Sequence, residues 1–148
     1  MREILFRGQA ANRIDGRAYR TNYKNGDWVY GLLTDAENYA GFSEMTNTIG
    51  VSGIEVDKNT VGQYTGMTDK KGTKIFEGDI IKVDDAVKET FPQVEDGDVR
   101  FSRGGFFVGS YGDILRSFDV IADYKGVMRG EVIGNIHDNP DLLESGHV

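Results

Sequence analysis

DIIKVD, residues 79–84, is the first of five short apolar segments whose reading decides the fold class. It is followed by DVRFS at 98–102, GFFVGS at 105–110, FDVIA at 118–122 and EVIGNI at 131–136. Each is β-branched or aromatic and bounded by turn residues, which is the signature of strands. Arg103-Gly104 between the second and third predicts a tight hairpin. Asp85 to Glu95, which contains Pro92, reads as a longer mobile loop. Five short strands with one hairpin and one long early loop suit a small SH3-like barrel, which bends closed and so limits exposed edges.

Upstream the pattern is less regular. Arg2 to Arg7 reads as a strand with Ile4 and Phe6 on one face. Asn25-Gly26 is a turn. Beyond it Trp28, Tyr30 and Leu32 alternate with Val29, Gly31 and Leu33, a strand apolar on both faces and therefore expected at the centre of its sheet. Between these two lies Gln9 to Lys24, polar and without a period of 2 or 3.6, which reads as a long excursion. Asn38 to Phe42, Gly53 to Val56 and Thr60 to Thr65 are further strand candidates, and Asp69-Lys70-Lys71-Gly72 is a turn with a glycine available for positive φ. At the other end Asn139 suits an N-cap, Pro140 the first helical position and Asp141 the positive end of the dipole, so a short helix is expected through about Ser145. No internal repeat stands out. The expected organisation is mainly β: an N-terminal β region over 1–74 with the polar excursion at about 9–24, and an SH3-like barrel with a terminal helix over 75–148, the two forming one compact unit.

The 148 residues include eight Phe, seven Tyr and one Trp, and 39% of the chain is hydrophobic, so a core can form without staples. There is no cysteine, which excludes disulfides, thiolate nucleophiles and cysteine-ligated metal sites. MREILFRG holds three apolar residues between its charges, too few for a signal peptide, and no run approaches the roughly 20 apolar residues of a membrane span. An intracellular location without membrane attachment is the expectation. The net charge of −7 disfavours non-specific binding to nucleic acid, which depends on Lys and Arg neutralising phosphates. That charge is uneven. Residues 1–20 hold Arg2, Arg7, Arg13, Arg17 and Arg20 against Glu3 and Asp15, a net of 5 − 2 = +3, leaving 12 basic and 22 acidic residues, or −10, for the remainder. Such an arm suits pairing with an acidic neighbouring subunit or simple solvation, with nucleic acid the less favoured alternative.

Residue types that carry chemistry are scarce. Only His137 and His147 are present, so no three-histidine site or HExxH helix exists, and His137 reads as a capping or interface residue. Glu77 with Asp79, Asp84 with Asp85, and Asp96 with Asp98 are spaced for shared acid–base work or a divalent cation, but solvated strand edges and turns explain them as well. No phosphate loop or GxSxG elbow occurs. No catalytic residue, metal ligand or cofactor is therefore assigned. Phe101, Phe106, Phe107 and Tyr111, with Arg100 and Arg103, form an aromatic hairpin of the type on which bases stack beside cations, although Phe101 and one of Phe106 or Phe107 are expected to fill the barrel interior.

Four stretches, REILFRG at 2–8, NGDWVYG at 25–31, VDKNTVGQYTGMTDKKGTKIFEGDIIKV at 56–83 and EVIGNIHDNPDLL at 131–143, resemble the YopX family of bacteriophage proteins. The resemblance implies a mainly β fold with an SH3-like element, an origin in phage or prophage, residence in the host cytoplasm and possible homo-oligomerisation. It supplies no reaction, ligand or catalytic residue. Two departures stand out: Gln9 to Lys24 is longer than the family places between its first two motifs, and His137 replaces a common aromatic residue. The expected role is that of a non-enzymatic accessory protein acting through contacts with itself or with a host or phage protein. The alternative is a nucleic-acid-binding regulator using Arg2, Arg7, Arg13, Arg17, Arg20, Arg100 and Arg103.

Overall fold

Ala10, Val29, Val51 and Val56 make the core of the first of two units, Met1–Gln63 and Tyr64–Val148. The computed structural model describes residues 3–11, 23–35, 49–92, 94–102, 105–109 and 121–144. In the first unit β1 (Phe6–Gln9) pairs antiparallel with β2 (Trp28–Gly31), and β3 (Leu33–Asp35), β4 (Ile49–Val51) and β5 (Ile54–Val56) form a three-stranded antiparallel sheet. The β4–β5 hairpin turns on Ser52 and Gly53, both at positive φ (51° and 81°), the two-residue geometry that matches strand twist. A Cβ on Gly8 would lie 2.9 Å from Val56 Cγ2, so only glycine lets β1 approach that side chain.

The first strand begins at Phe6 instead of Arg2, and Ile4 is 63% exposed. Gln9 and Ala10, expected in the excursion, belong to the folded unit: Ala10 bridges Val56 and exchanges backbone bonds with Asp27 and Gly26. The segment from Trp28 to Leu33 is neither continuous nor central. The strand ends at Gly31, and among the described residues β2 pairs with β1 alone. Alternation of apolar residues marks two usable faces but does not specify that both are covered, and Tyr30, Leu32 and Leu33 are exposed. Asn38–Phe42 and residues 12–22 of the excursion lie outside the described residues.

The division into units falls within β6 (Gly62–Thr68), whose Gly62 and Gln63 pair with Arg7 and Phe6 and whose Tyr64 and Thr68 pair with Phe76 and Lys74 of β7 (Lys74–Phe76). The expected DKKG turn joins them, with Gly72 at φ +87°. In the second unit β8 (Asp79–Val83), β9 (Gly97–Ser102), β10 (Gly105–Val108) and β11 (Gly130–Asn135) form an antiparallel sheet in the order β10-β9-β8-β11. Ile75, Ile81, Val83, Val99, Val108, Ile121 and Met128 fill its core. The mainly β class is as expected, but the sheets of the described residues are open and do not close into a barrel. Ser102 pairs with Gly105, and Arg103 and Gly104 lie outside the described residues. Of the expected strand at Phe118–Ala122, residues 118–120 lie outside them too, while Ala122 bridges Met128.

The loop expected at Asp85 to Glu95 is instead a helix, α1 (Asp85–Thr90), followed by a turn. Val87 packs on the core from within the helix and Phe91 and Val94 from just beyond it, and the helix stops at Thr90, ahead of Pro92. The C-terminal helix, α2 (Asp141–Glu144), forms as expected, with Leu142 and Leu143 donating to the carbonyls of Asn139 and Pro140. The Asn139 side chain accepts from the Asn135 amide at 3.2 Å.

Candidate functional site

Strand register sorts the aromatic hairpin into two faces. Phe101 pairs with Phe106 and Val99 with Val108, so these four share the face that continues the core, while Arg100 and its partner Phe107 lie on the other. Val99 and Val108 are buried, and past them the core face runs out: Phe101 is 52% exposed and Phe106 half-buried, their rings edge-to-face with centroids 5.0 Å apart. Phe107 is the buried aromatic of the hairpin, so the expectation that Phe101 fills an interior is corrected. A strand exposes alternate faces, and only the register shows which phenylalanine goes where.

On the opposite face Arg100 grips Asp98 with two bonds, Nε to Oδ2 at 2.9 Å and an Nη to Oδ1 at 3.1 Å. Hydrogen bonding and then charge from Asp98 raise the guanidinium pKa above its already high value, against the effect of burial. The Phe101 and Phe106 rings thus point away from this cation, and Phe107, which shares its face, is buried, whereas base stacking beside a cation needs an exposed ring on the same side. Tyr111 and Arg103 lie outside the described residues.

Of the basic N-terminal residues, Arg2, Arg13, Arg17 and Arg20 also lie outside them. Arg7 is described, and it is 6% exposed with its guanidinium 4.4 Å from the Trp28 ring centroid, a packing position in the first unit.

Among the paired carboxylates Asp79, Asp84, Asp85, Asp96 and Asp98 have local work. Glu77 and Gly78 form a turn, Gly78 at φ +89°, so Glu77 and Asp79 do not share a strand face, and buried Asp79 accepts from the Phe76 amide at 2.7 Å. Asp84 holds Lys70 at 2.8 Å, and Asp85 lies 3.7 Å from Lys88. Asp96 accepts from the Val83 amide at 2.7 Å and from Lys88 at 3.0 Å. Among the described residues no group of three or more His, Asp or Glu is placed to hold a metal ion. His137 donates its amide to Asn135 Oδ1; His147 is outside the described residues.

One pattern went unread in the sequence. Asp69-Lys70-Lys71-Gly72-Thr73 and Asp123-Tyr124-Lys125-Gly126-Val127 fold identically: the aspartate Oδ1 accepts from the second and fourth residues after it, its amide bonds the fourth carbonyl, and the glycine sits at positive φ. The shared D-x-K-G signal was legible. The second turn leaves Tyr124 almost wholly exposed.

These features define a mainly β protein whose described carboxylates stabilise turns and strand ends, and whose exposed side chains include large aromatics. The YopX protein family matches residues 17–144, and the chain belongs to that family. The match takes in three of the four resembling stretches and begins beyond REILFRG. The crystal structure of protein EF1440 from Enterococcus faecalis is similar, at 26% identity and a TM-score of 0.50, covering 97% of this chain and 99% of that one. Curated proteins offer no match. No described helix is long and apolar enough to cross a membrane.

Proposed function

We propose that this protein is a non-enzymatic phage or prophage accessory factor, working in the host cytoplasm through contacts with other proteins, with self-association among them. The observation that carries this reading is the Phe101–Phe106 pair, an exposed ring stacked edge-to-face on a half-buried one at the solvent end of a core face. Clustered aromatics of this kind are characteristic of contact surfaces. Support also comes from the carboxylates, since Asp69, Asp79, Asp96 and Asp98 are buried or nearly so and bonded within the fold. Affinity capture from prophage-carrying cells, with mass spectrometry, tests the reading: a defined partner retained by the wild type and lost with Phe101→Ser is expected. A catalysed reaction measured for the purified chain would sink it. Light scattering tests self-association, and a strictly monomeric mass at micromolar concentration removes that part.

A further inference from the structure

We infer that Asn25 is a spontaneous deamidation site that the folded first unit holds closed, so that conversion follows opening of the Lys24–Asp27 turn and marks chains in which it has opened. Asn25 is the only asparagine of the chain followed by glycine. The pair is chemically labile because a glycine amide, with no side chain to crowd it, reaches the preceding carboxamide most readily. The Gly26 nitrogen attacks Cγ of Asn25 and a new nitrogen–carbon bond forms. The side-chain amine leaves as ammonia, taking the proton that the Gly26 amide gives up. Water then opens the succinimide at either carbonyl, leaving aspartate or isoaspartate.

Burial does not protect the pair. Both residues are exposed, and nothing lies within 4 Å of where a Gly26 Cβ would stand. Backbone geometry does. The Asp27 amide donates to the Lys24 carbonyl at 3.0 Å, and with Gly26 at φ +90° and Asn25 at negative φ the turn is type II. Position i+1 of such a turn holds ψ at about +120°, whereas an L residue brings the following nitrogen over its own Cβ only at about −120°. The Gly26 proton is engaged as well, donated to the Ala10 carbonyl at 2.8 Å. The Lys24 amide donates to Asp27 Oδ2 at 2.9 Å and the Ala10 amide to the Asp27 carbonyl at 2.8 Å, so the turn is tied both to itself and to the residue after β1. Attack therefore waits for local opening, whose free energy sets the rate. Isoaspartate adds a carbon to the main chain within the turn, and the bonds to Ala10 then fall out of register.

Peptide mapping by mass spectrometry tests this on the full chain, incubated at mildly alkaline pH in buffer and in guanidinium chloride. In guanidinium chloride Asn25 should convert ahead of every other asparagine. In buffer it should convert at least about tenfold more slowly. Asp27→Ala removes the Lys24 bond at an exposed position and should recover part of that difference. Hydrogen exchange of the Gly26 amide in the wild type gives a second reading that needs no variant, and slowing of about tenfold or more is expected. Equal conversion rates in buffer and denaturant, a Gly26 amide that exchanges unprotected, an Asp27→Ala rate no higher than the wild type's, or another asparagine converting first in guanidinium chloride overturns the inference.

Discussion

Asp69 Oδ2 accepts a hydrogen bond from the amide of Val132 at 3.0 Å, across 63 residues of chain. Its Oδ1 accepts from the amides of Lys71 and Thr73, at 2.9 Å each. One carboxylate, 2% exposed, therefore shapes the first D-x-K-G turn and ties it to β11. A buried carboxylate is tolerated where its lone pairs meet N–H donors, and three backbone amides are more than most side chains find.

Asp69→Ala should cost about 3 kcal/mol, because three amides lose a charged acceptor in a site closed to water. Urea unfolding measures this, and thermal unfolding should show a midpoint lower by roughly 6 to 12 °C. Asp123→Ala removes the equivalent Oδ1 bonds from the half-buried second turn, where water can replace them, and should cost about 1 kcal/mol. Equal losses at the two positions would show that the Val132 bond and the burial contribute nothing.

Lys70 and Asp84 give a pH-dependent test. The hydrogen bond and charge of Asp84, bonded at 2.8 Å, raise the Lys70 pKa above its ordinary 10.5. A raised folded-state value means that the pair's stabilisation is complete below pH 10.5 and disappears as pH climbs through the higher value. NMR titration of the Lys70 side chain should place its midpoint above 10.5 in the wild type and lower in Asp84→Asn. Both side chains are partly in water, so added salt should shrink the difference. An unchanged midpoint in Asp84→Asn would mean the ion pair does not persist in solution.

How far the sequence discloses this fold depends on what each signal measures. β8, β9 and β11 were legible because β-branched runs bounded by glycines have few alternatives to a strand. α1 was not, since its six residues include a single core position, Val87, which leaves no period to read, and the helix stops before Pro92. The position of β2 at a sheet edge, and of Phe101 outside rather than inside, depends on register and neighbours, which alternation does not encode. Arg7 looked like part of a solvated arm until its guanidinium proved to lie against Trp28, a contact made by strand pairing. Residue type and spacing place the carboxylate pairs at turns and strand ends but as solvated groups, whereas Asp79 and Asp98 are buried, Asp79 holding the Phe76 amide and Asp98 the Arg100 guanidinium.

Thr60 tests whether the longest YopX-like stretch is architectural. Its hydroxyl donates to the Asp57 carbonyl at 2.6 Å and accepts from the Gln9 amide at 2.8 Å, pinning the Lys58–Thr60 turn to β1. Thr60→Val keeps shape and burial but takes the hydroxyl acceptor from the Gln9 amide, while the Asp57 carbonyl keeps the Thr60 amide at 2.9 Å, so a loss of about 1 to 2 kcal/mol is expected in urea unfolding. Thr60→Ser retains the hydroxyl and should lose less. If Val is neutral, the hydroxyl is not what fixes this segment.

Gly31 and Ser52 should show the strongest coupling in the first unit. A Cβ on Gly31 would run into Ser52 Oγ, the atom that donates to the Tyr30 carbonyl, while the Ser52 amide donates to the Leu32 carbonyl at 2.9 Å. Gly31→Ala alone must turn the Ser52 side chain aside and crowd its Cβ, and it puts an alanine at φ +154°, for a combined cost of about 3 kcal/mol. Ser52→Gly alone should be close to neutral, because glycine suits the positive φ at that position and offsets the weak 3.3 Å hydrogen bond. Combined, the two substitutions should recover at least about 1 kcal/mol relative to the sum of the singles, as residues in direct contact do in double-mutant cycles. Strict additivity would mean that the backbone at Gly31, rather than the Ser52 hydroxyl, excludes a side chain there, and Gly31→Ala would then stay unfavourable in every Ser52 background.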